Sequence, residues 1–387
     1  MELLTMLTKA VCLLSLAVTF LCMGCGARFT ALRGVNDDNI GFHQHRGAPS
    51  GNALIDVDAG LLDTVLYSKK LNGGIGAQVV GVTNAIMVPT FNERIYFLNP
   101  DNGKERTSVL TKSTVGSAVA IAHELMYYAQ EAGGDLLTCL NVATGKTIWR
   151  LKITDPLAAP IVDGDELFIT SRTGFVYRIN RLQGEVIWQY DAGAQCYAAP
   201  AVDCSRVYLG TSKGEILCLS RKTGDLLWTF ESSMAIFAQP LIERYLFCGS
   251  GDGRLYALDV ATGKQVWSFV TPSPIHTTPV ITGGRLVFGS DDQNLFCLDP
   301  GSGNVLWRFE TDGIVQSSPI VVGKTFICAN SAGSLYQLDF DGKLLKSFKV
   351  KGSVTAPVSF VNGKLFVVTR QRMLYCFGFA AANRQSN

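Results

Sequence analysis

The chain has 387 residues and a formal net charge of +2, from 34 Lys and Arg against 32 Asp and Glu. That balance gives no global attraction to nucleic acid or acidic lipid, and no basic run exceeds Lys69-Lys70 or Arg221-Lys222. Apolar residues make up 47% and charged residues only 17%, below the usual quarter, which suits sheet stacked on sheet around a large core.

Lys9 precedes an uncharged, apolar run from Ala10 to Met23. The run is too short for a comfortable membrane span and reads as a signal peptide over residues 1–24. Cys22-Met23-Gly24-Cys25 resembles a bacterial lipobox, with Cys22 where Leu is usual. The resemblance implies cleavage before Cys25 and a lipid on its thiol; an ordinary cleaved signal and an uncleaved anchor are the alternatives. Gly26 follows, not the Asp of the inner-membrane retention signal, so sorting to an outer membrane, facing the periplasm, is the expectation.

Residues 25–61 read as a tether rich in Gly, Asn and Asp. His43 and His45 would share a face on a strand, but no Cys, Asp or Glu cluster completes a four-ligand set, so no metal is expected.

From residue 62 the chain is a repeat. Trp149, Trp188, Trp228, Trp267 and Trp307 recur every 39 or 40 residues, each four residues after a glycine: Gly145, Gly184, Gly224, Gly263 and Gly303. An aromatic-aliphatic strand precedes each glycine, as in Leu255-Tyr256-Ala257-Leu258. Weaker copies carry Thr107 and Lys346 at the Trp position. Short runs of Val, Ile, Leu, Phe and Tyr alternate with turn signals such as Lys213-Gly214, Asp252-Gly253 and Ala332-Gly333, where glycine supplies the positive φ of a tight hairpin.

Four short antiparallel strands per unit of this length is a β-propeller blade. The aromatic-aliphatic strand occurs eight times, but the strand after it only seven times; Thr64–Leu71 supplies the eighth from the N-terminal side. Residues 62–378 therefore read as an all-β, eight-bladed propeller of four-stranded antiparallel blades. An N-terminal strand completes the last blade and closes the ring. Seven blades with a degenerate flank, or an open array, are the competing counts. Residues 379–387 form a polar tail.

The segment Ala257-x-Asp259-x-x-Thr262-Gly263-Lys264-x-x-Trp267 resembles the docking motif of pyrroloquinoline-quinone (PQQ) repeats. Those repeats build quinoprotein dehydrogenases and the BamB-type outer-membrane assembly factors. The resemblance implies that the five Trp residues pack against the Thr-Gly turn of a neighbouring blade. It also implies, for a lipid-anchored member, a non-catalytic scaffold that contacts envelope proteins such as the outer-membrane β-barrel assembly machinery. A PQQ-dependent dehydrogenase, or a propeller scaffolding another envelope complex, are the alternatives.

The residues themselves give little chemistry. His123 and His276 fall in different repeats without a nucleophile motif beside either. There is no Walker loop, dinucleotide fingerprint, Cys-Cys dipeptide or haem-attachment site, so neither cofactor nor catalytic residue is expected. Asp291-Asp292 falls where other repeats carry turn residues. Cys139, Cys218, Cys297 and Cys376 share one repeat position and read as small buried strand residues. Cys196 and Cys204 flank a candidate hairpin and form the one plausible disulfide pair.

Overall fold

A computed structural model describes residues 46–57, 59–131 and 136–380; the signal segment, Cys25, His43, His45 and the far C-terminal tail lie outside them. Every regular element within the described residues is a strand, and the strands form eight sheets arranged as a ring. In blade 1 the order from axis to rim is Val80–Val82, Ala85–Thr90, Arg94–Leu98 and Glu105–Leu110, each antiparallel to the next. Blades 2 to 7 repeat that order along the chain.

Burial follows position in the blade. The second and third strands are sandwiched between neighbouring blades, so both their faces are apolar: Leu255, Tyr256, Ala257 and Leu258 are all buried. Continuous rather than alternating hydrophobicity is what a strand covered on both faces requires. The outermost strands alternate between half-buried and exposed residues, as in Val305–Glu310. A register shift precedes most of the Trp positions, for example between Cys297 and Leu298 opposite Trp307 and Val305. Such a bulge turns the Trp inward toward the next blade.

Blade 8 is assembled from both ends of the described chain. The N-terminal strand β2 (Leu62–Lys70) pairs antiparallel with Met373–Phe379, giving a closed ring and the expected count of eight. Just upstream, residues 46–57 form a strap across the inner strands. Pro49 accepts from the Val202 N–H of blade 4, and Ser50 accepts from Ile242 of blade 5. Asn52 exchanges hydrogen bonds with Ile281 of blade 6. The short strand β1 (Leu54–Ile55) pairs parallel with Ile320–Val322 of blade 7.

Two sequence readings need correction. Cys196 and Cys204 are both free thiols. They lie beyond opposite ends of the inner strand Ala201–Val202, Cys196 buried and Cys204 exposed. The prolines near the start of each repeat, Pro160, Pro200, Pro240, Pro279, Pro319 and Pro357, read as one series with spacings of 40, 40, 39, 40 and 38 residues, but Pro357 does not match the others. Pro319 directly precedes its inner strand, whereas Pro357 stands two residues before Ser359–Val361. It occupies the channel-lining position of Ser318, which accounts for the short last spacing.

Candidate functional site

The joints between blades use one device. The Trp149 indole donates to the Arg181 carbonyl, Trp188 to Arg221, Trp228 to Val260, Trp267 to Pro300 and Trp307 to Phe340, at 2.9–3.2 Å. Each ring lies flat on a glycine of the next blade: Gly184, Gly224, Gly263, Gly303 and Gly342 in turn. A Cβ on any of them would sit 2.4–2.8 Å from the ring. These glycines have φ between 70° and 81°, so turn geometry and ring contact both demand the missing side chain. Gly145 has the same backbone, with φ 72°, but the preceding blade offers it Thr107.

The sequence did not show that Tyr67 performs this task at the closure. Its hydroxyl donates to the Pro100 carbonyl at 3.2 Å, and its ring lies 2.6 Å from where a Gly103 Cβ would be. Lys346 has no such glycine to meet, because the turn after the third strand is absent from blade 8: β2 arrives from elsewhere in the chain. The cysteines fall into place beside these rings. Cys139, Cys218, Cys297 and Cys376 stand directly cross-strand from Trp149, Trp228, Trp307 and Tyr67. All four are fully buried, and burial pushes each thiol up to about 12.

The ring surrounds a central channel whose two ends differ. On the lower face, where the docking turns lie, the strap closes it. Arg46 is fully buried there. Its guanidinium donates to the carbonyls of Gly51, Pro319, Thr278 and Pro279, and its own N–H donates to Gln78 Oε1. With no carboxylate partner among the described residues, burial draws its pKa down to about 9. On the upper face, formed by the interblade loops, the channel opens as a funnel of about 320 Å³.

Eight equivalent residues line the funnel mouth, one per blade: Gly76, Gly116, Leu157, Tyr197, Phe237, His276, Gln316 and Thr355. Tyr197 and Phe237 pack at 5.6 Å, and His276 meets the Phe237 ring edge-on at 5.2 Å. His276 Nδ1 is 3.2 Å from Asp291 Oδ2, which also accepts from Gln316. The two sequence histidines are thus in different places: His276 at the mouth, His123 in a lower-face turn beside Asp163 and Asp165. Asp292 serves its turn by accepting from the Asn294 N–H, while Asp291 buttresses His276. The mouth had a faint sequence signal: three residues before Pro160, Pro200, Pro240, Pro279 and Pro319 the repeat varies, while the next two positions stay small or polar.

Among the described residues the lining contains no Lys, Arg, Asp or Glu, and no cluster of His, Cys, Asp or Glu could hold a metal ion. PQQ carries three carboxylates, which call for cationic partners, and a calcium ion beside it calls for convergent carboxylates. The funnel residues do not fit that group, and no quinone chemistry follows from them.

The sequence matches the family described as "Outer membrane protein assembly factor BamB" over residues 91–241 and 231–387. No curated protein matches it in sequence. Among solved structures, BamB from Moraxella catarrhalis is similar with a TM-score of 0.70 and 18% identity, over 82% of this chain and 99% of that one. The computationally designed Ika8 protein gives 0.73 and 16%, over 82% and 100%. The quinohemoprotein alcohol dehydrogenase ADHIIG from Pseudomonas putida HK5 gives 0.73 and 11%, over 90% and 81%. At these identities the structural likenesses speak to the fold alone.

Proposed function

Because the chain belongs to the family of the outer membrane protein assembly factor BamB, we propose that it is a non-catalytic protein-interaction scaffold of the bacterial cell envelope. In this reading it assists the assembly of outer-membrane β-barrel proteins, held by a lipid on Cys25 at the outer membrane and facing the periplasm. The observation that carries the reading is the family match taken with the character of the upper face. Phe91, Phe237 and Met234 are 47%, 41% and 54% exposed around a mouth with no charged lining residue. Apolar side chains presented on rigid loops are what a protein partner buries, whereas an active site needs titratable or metal-ligating groups converging on a substrate.

The joints support the same role. A scaffold must hold its loops in fixed register, and the six Trp or Tyr to glycine contacts tie each of those blades to the next. The test is affinity purification of the lipidated full chain from its native envelope. Recovery of the β-barrel insertase is expected, and loss of that recovery in a Phe91→Ser, Phe237→Ser, Met234→Ser variant. Recovery of a different envelope complex, or of none, overturns the assignment; dye-linked alcohol oxidation on adding PQQ and calcium overturns the non-catalytic reading.

A further inference from the structure

The funnel wall is divided into halves. Blades 1 to 4 line it mainly with small residues, Gly76, Ala77, Gly116, Ala118, Ala159 and Ala199, with Gln78 and Ser117 as the polar exceptions, leaving a mostly apolar surface. Blades 5 to 8 line it with Gln239, His276, Thr278, Gln316, Ser318 and Thr355. The aromatic pair Tyr197 and Phe237 stands at the border between the two halves.

The polar half holds an acceptor without a partner. Gln239 is 2% exposed; its amide Nε2 donates to the Pro200 carbonyl, and Oε1 has no hydrogen bond. Its counterpart across the ring, Gln78, makes the equivalent donation to Val358, but its Oε1 accepts from Arg46. The pseudosymmetric pair is therefore completed on one side only. A buried amide oxygen left unpaired is unfavourable, so this position beside the channel calls for a donor. His276 adds a second polar group: with Nδ1 directed at Asp291, Nε2 is left to face away from that carboxylate.

We propose that the funnel is a binding site for an uncharged saccharide ring. A pyranose has an apolar C–H face and several hydroxyls around its edge. The face matches the aromatic border and the alanine-glycine half, and the hydroxyls match acceptors and hydroxyl groups spread over four consecutive blades. A phenol or indole side chain has one polar atom and would leave most of the polar half unused. A charged group finds no counter-ion in the lining. The volume of about 320 Å³ lies at the small end of ligand pockets, suited to a mono- or disaccharide. This inference is independent of the scaffold role, which stands or falls on the purification above.

The experiment is saturation-transfer NMR and calorimetric titration of the full chain with glucose and N-acetylglucosamine. Glucosamine, glucuronate and N-acetyl-tyrosine amide serve as cationic, anionic and aromatic comparators. Neutral sugars are expected to bind, with roughly tenfold weakening in Phe237→Ala, which removes an exposed ring, and in Gln239→Leu. Unchanged thermal melting in Phe237→Ala separates lost binding from lost fold. No saturation transfer to either neutral sugar overturns the proposal. So does equal or tighter binding of the charged sugars or of the tyrosine amide, or neutral-sugar binding that both variants leave intact.

Discussion

Phe97 stands directly cross-strand from Thr107, reversing the size order found in most of the other blades. Where the outer strand carries Trp149, Trp228, Trp267 or Trp307, the residue opposite is Cys139, Cys218, Ala257 or Cys297. In blade 1 the outer residue is small and the inner one large; blade 3 departs from the pattern with Arg178 opposite Trp188, its guanidinium reaching to the Arg221 carbonyl. The two positions share one volume between blades, and close packing fixes their sum more tightly than either member.

That relationship predicts a compensated swap. Thr107→Trp alone overpacks against Phe97, and Phe97→Cys alone leaves a cavity; each is expected to lower stability by about 2–4 kcal/mol. The double variant is expected to recover at least half of the summed loss, because Gly145 already has the backbone of a docking turn. Urea unfolding of the four proteins gives the coupling energy; simple additivity would show that the two positions do not share space.

The docking glycines separate backbone strain from ring contact. Gly263 and Gly363 have nearly the same φ, 70° and 73°, but only Gly263 faces a ring, that of Trp228; nothing lies within 4 Å of a Cβ on Gly363. Gly363→Ala is expected to cost about 1 kcal/mol for its left-handed backbone. Gly263→Ala should cost at least about 2 kcal/mol more, as the ring must move. Equal midpoint shifts in denaturant would mean that the rings yield freely.

Burial decides the reactivity of the thiols. Of the cysteines in the described residues only Cys204 is exposed, and the thiolate is the reactive form. A disulfide-exchange reagent at pH 8 is expected to label Cys204 within minutes and the propeller-core cysteines only on unfolding. Mass spectrometry of the labelled peptides checks this, and fast labelling of Cys139 or Cys297 would contradict the packing described for them.

The architecture was legible because the Trp and glycine positions recur at one period, and a repeat reports its blade in every copy. The features that break the repeat were not. Tyr67 lies in the strand that completes the last blade from the other end of the chain, with no docking glycine ahead of it, so nothing in its spacing linked it to Pro100 and Gly103. Arg46 sits in a polar stretch that read as tether, and only the ring places three carbonyls from blades 6 and 7 around it. The funnel mouth draws one residue from each of eight blades, and its division into two halves exists only after closure. His276 and Asp291 were each visible, but their meeting depends on an interblade loop and a hairpin turn arriving at the same height.

Arg46 predicts a large effect from a residue remote from any exposed loop. Arg46→Met keeps bulk in the channel floor but leaves the carbonyls of Pro319 and Pro279, and Gly51 in the strap, without their donor. A loss of about 3 kcal/mol is expected, together with faster hydrogen exchange at the strap-bonded amides of Val202, Ile242 and Val321. An unchanged midpoint with unchanged exchange would show that the strap holds without its pin.

Asp312 sets the acid limb of stability. Its carboxylate accepts from Lys349, Ser334, Asn330 and Tyr336 at 2.7–2.8 Å, and these bonds, that of Lys349 foremost, hold its pKa well below the usual carboxylate value. A carboxyl depressed in the folded state contributes stability that is complete above the unfolded pKa, near 3.9, and is lost as pH falls through the folded value. The side chain is half exposed, so solvent screening limits the contribution to about 1 kcal/mol. Asp312→Asn is therefore expected to lower the urea midpoint modestly at pH 7. It should also flatten the decline between about pH 4 and pH 2, because the variant has no proton to take up there. Parallel acid limbs in the two proteins would place the acid sensitivity of the ring elsewhere.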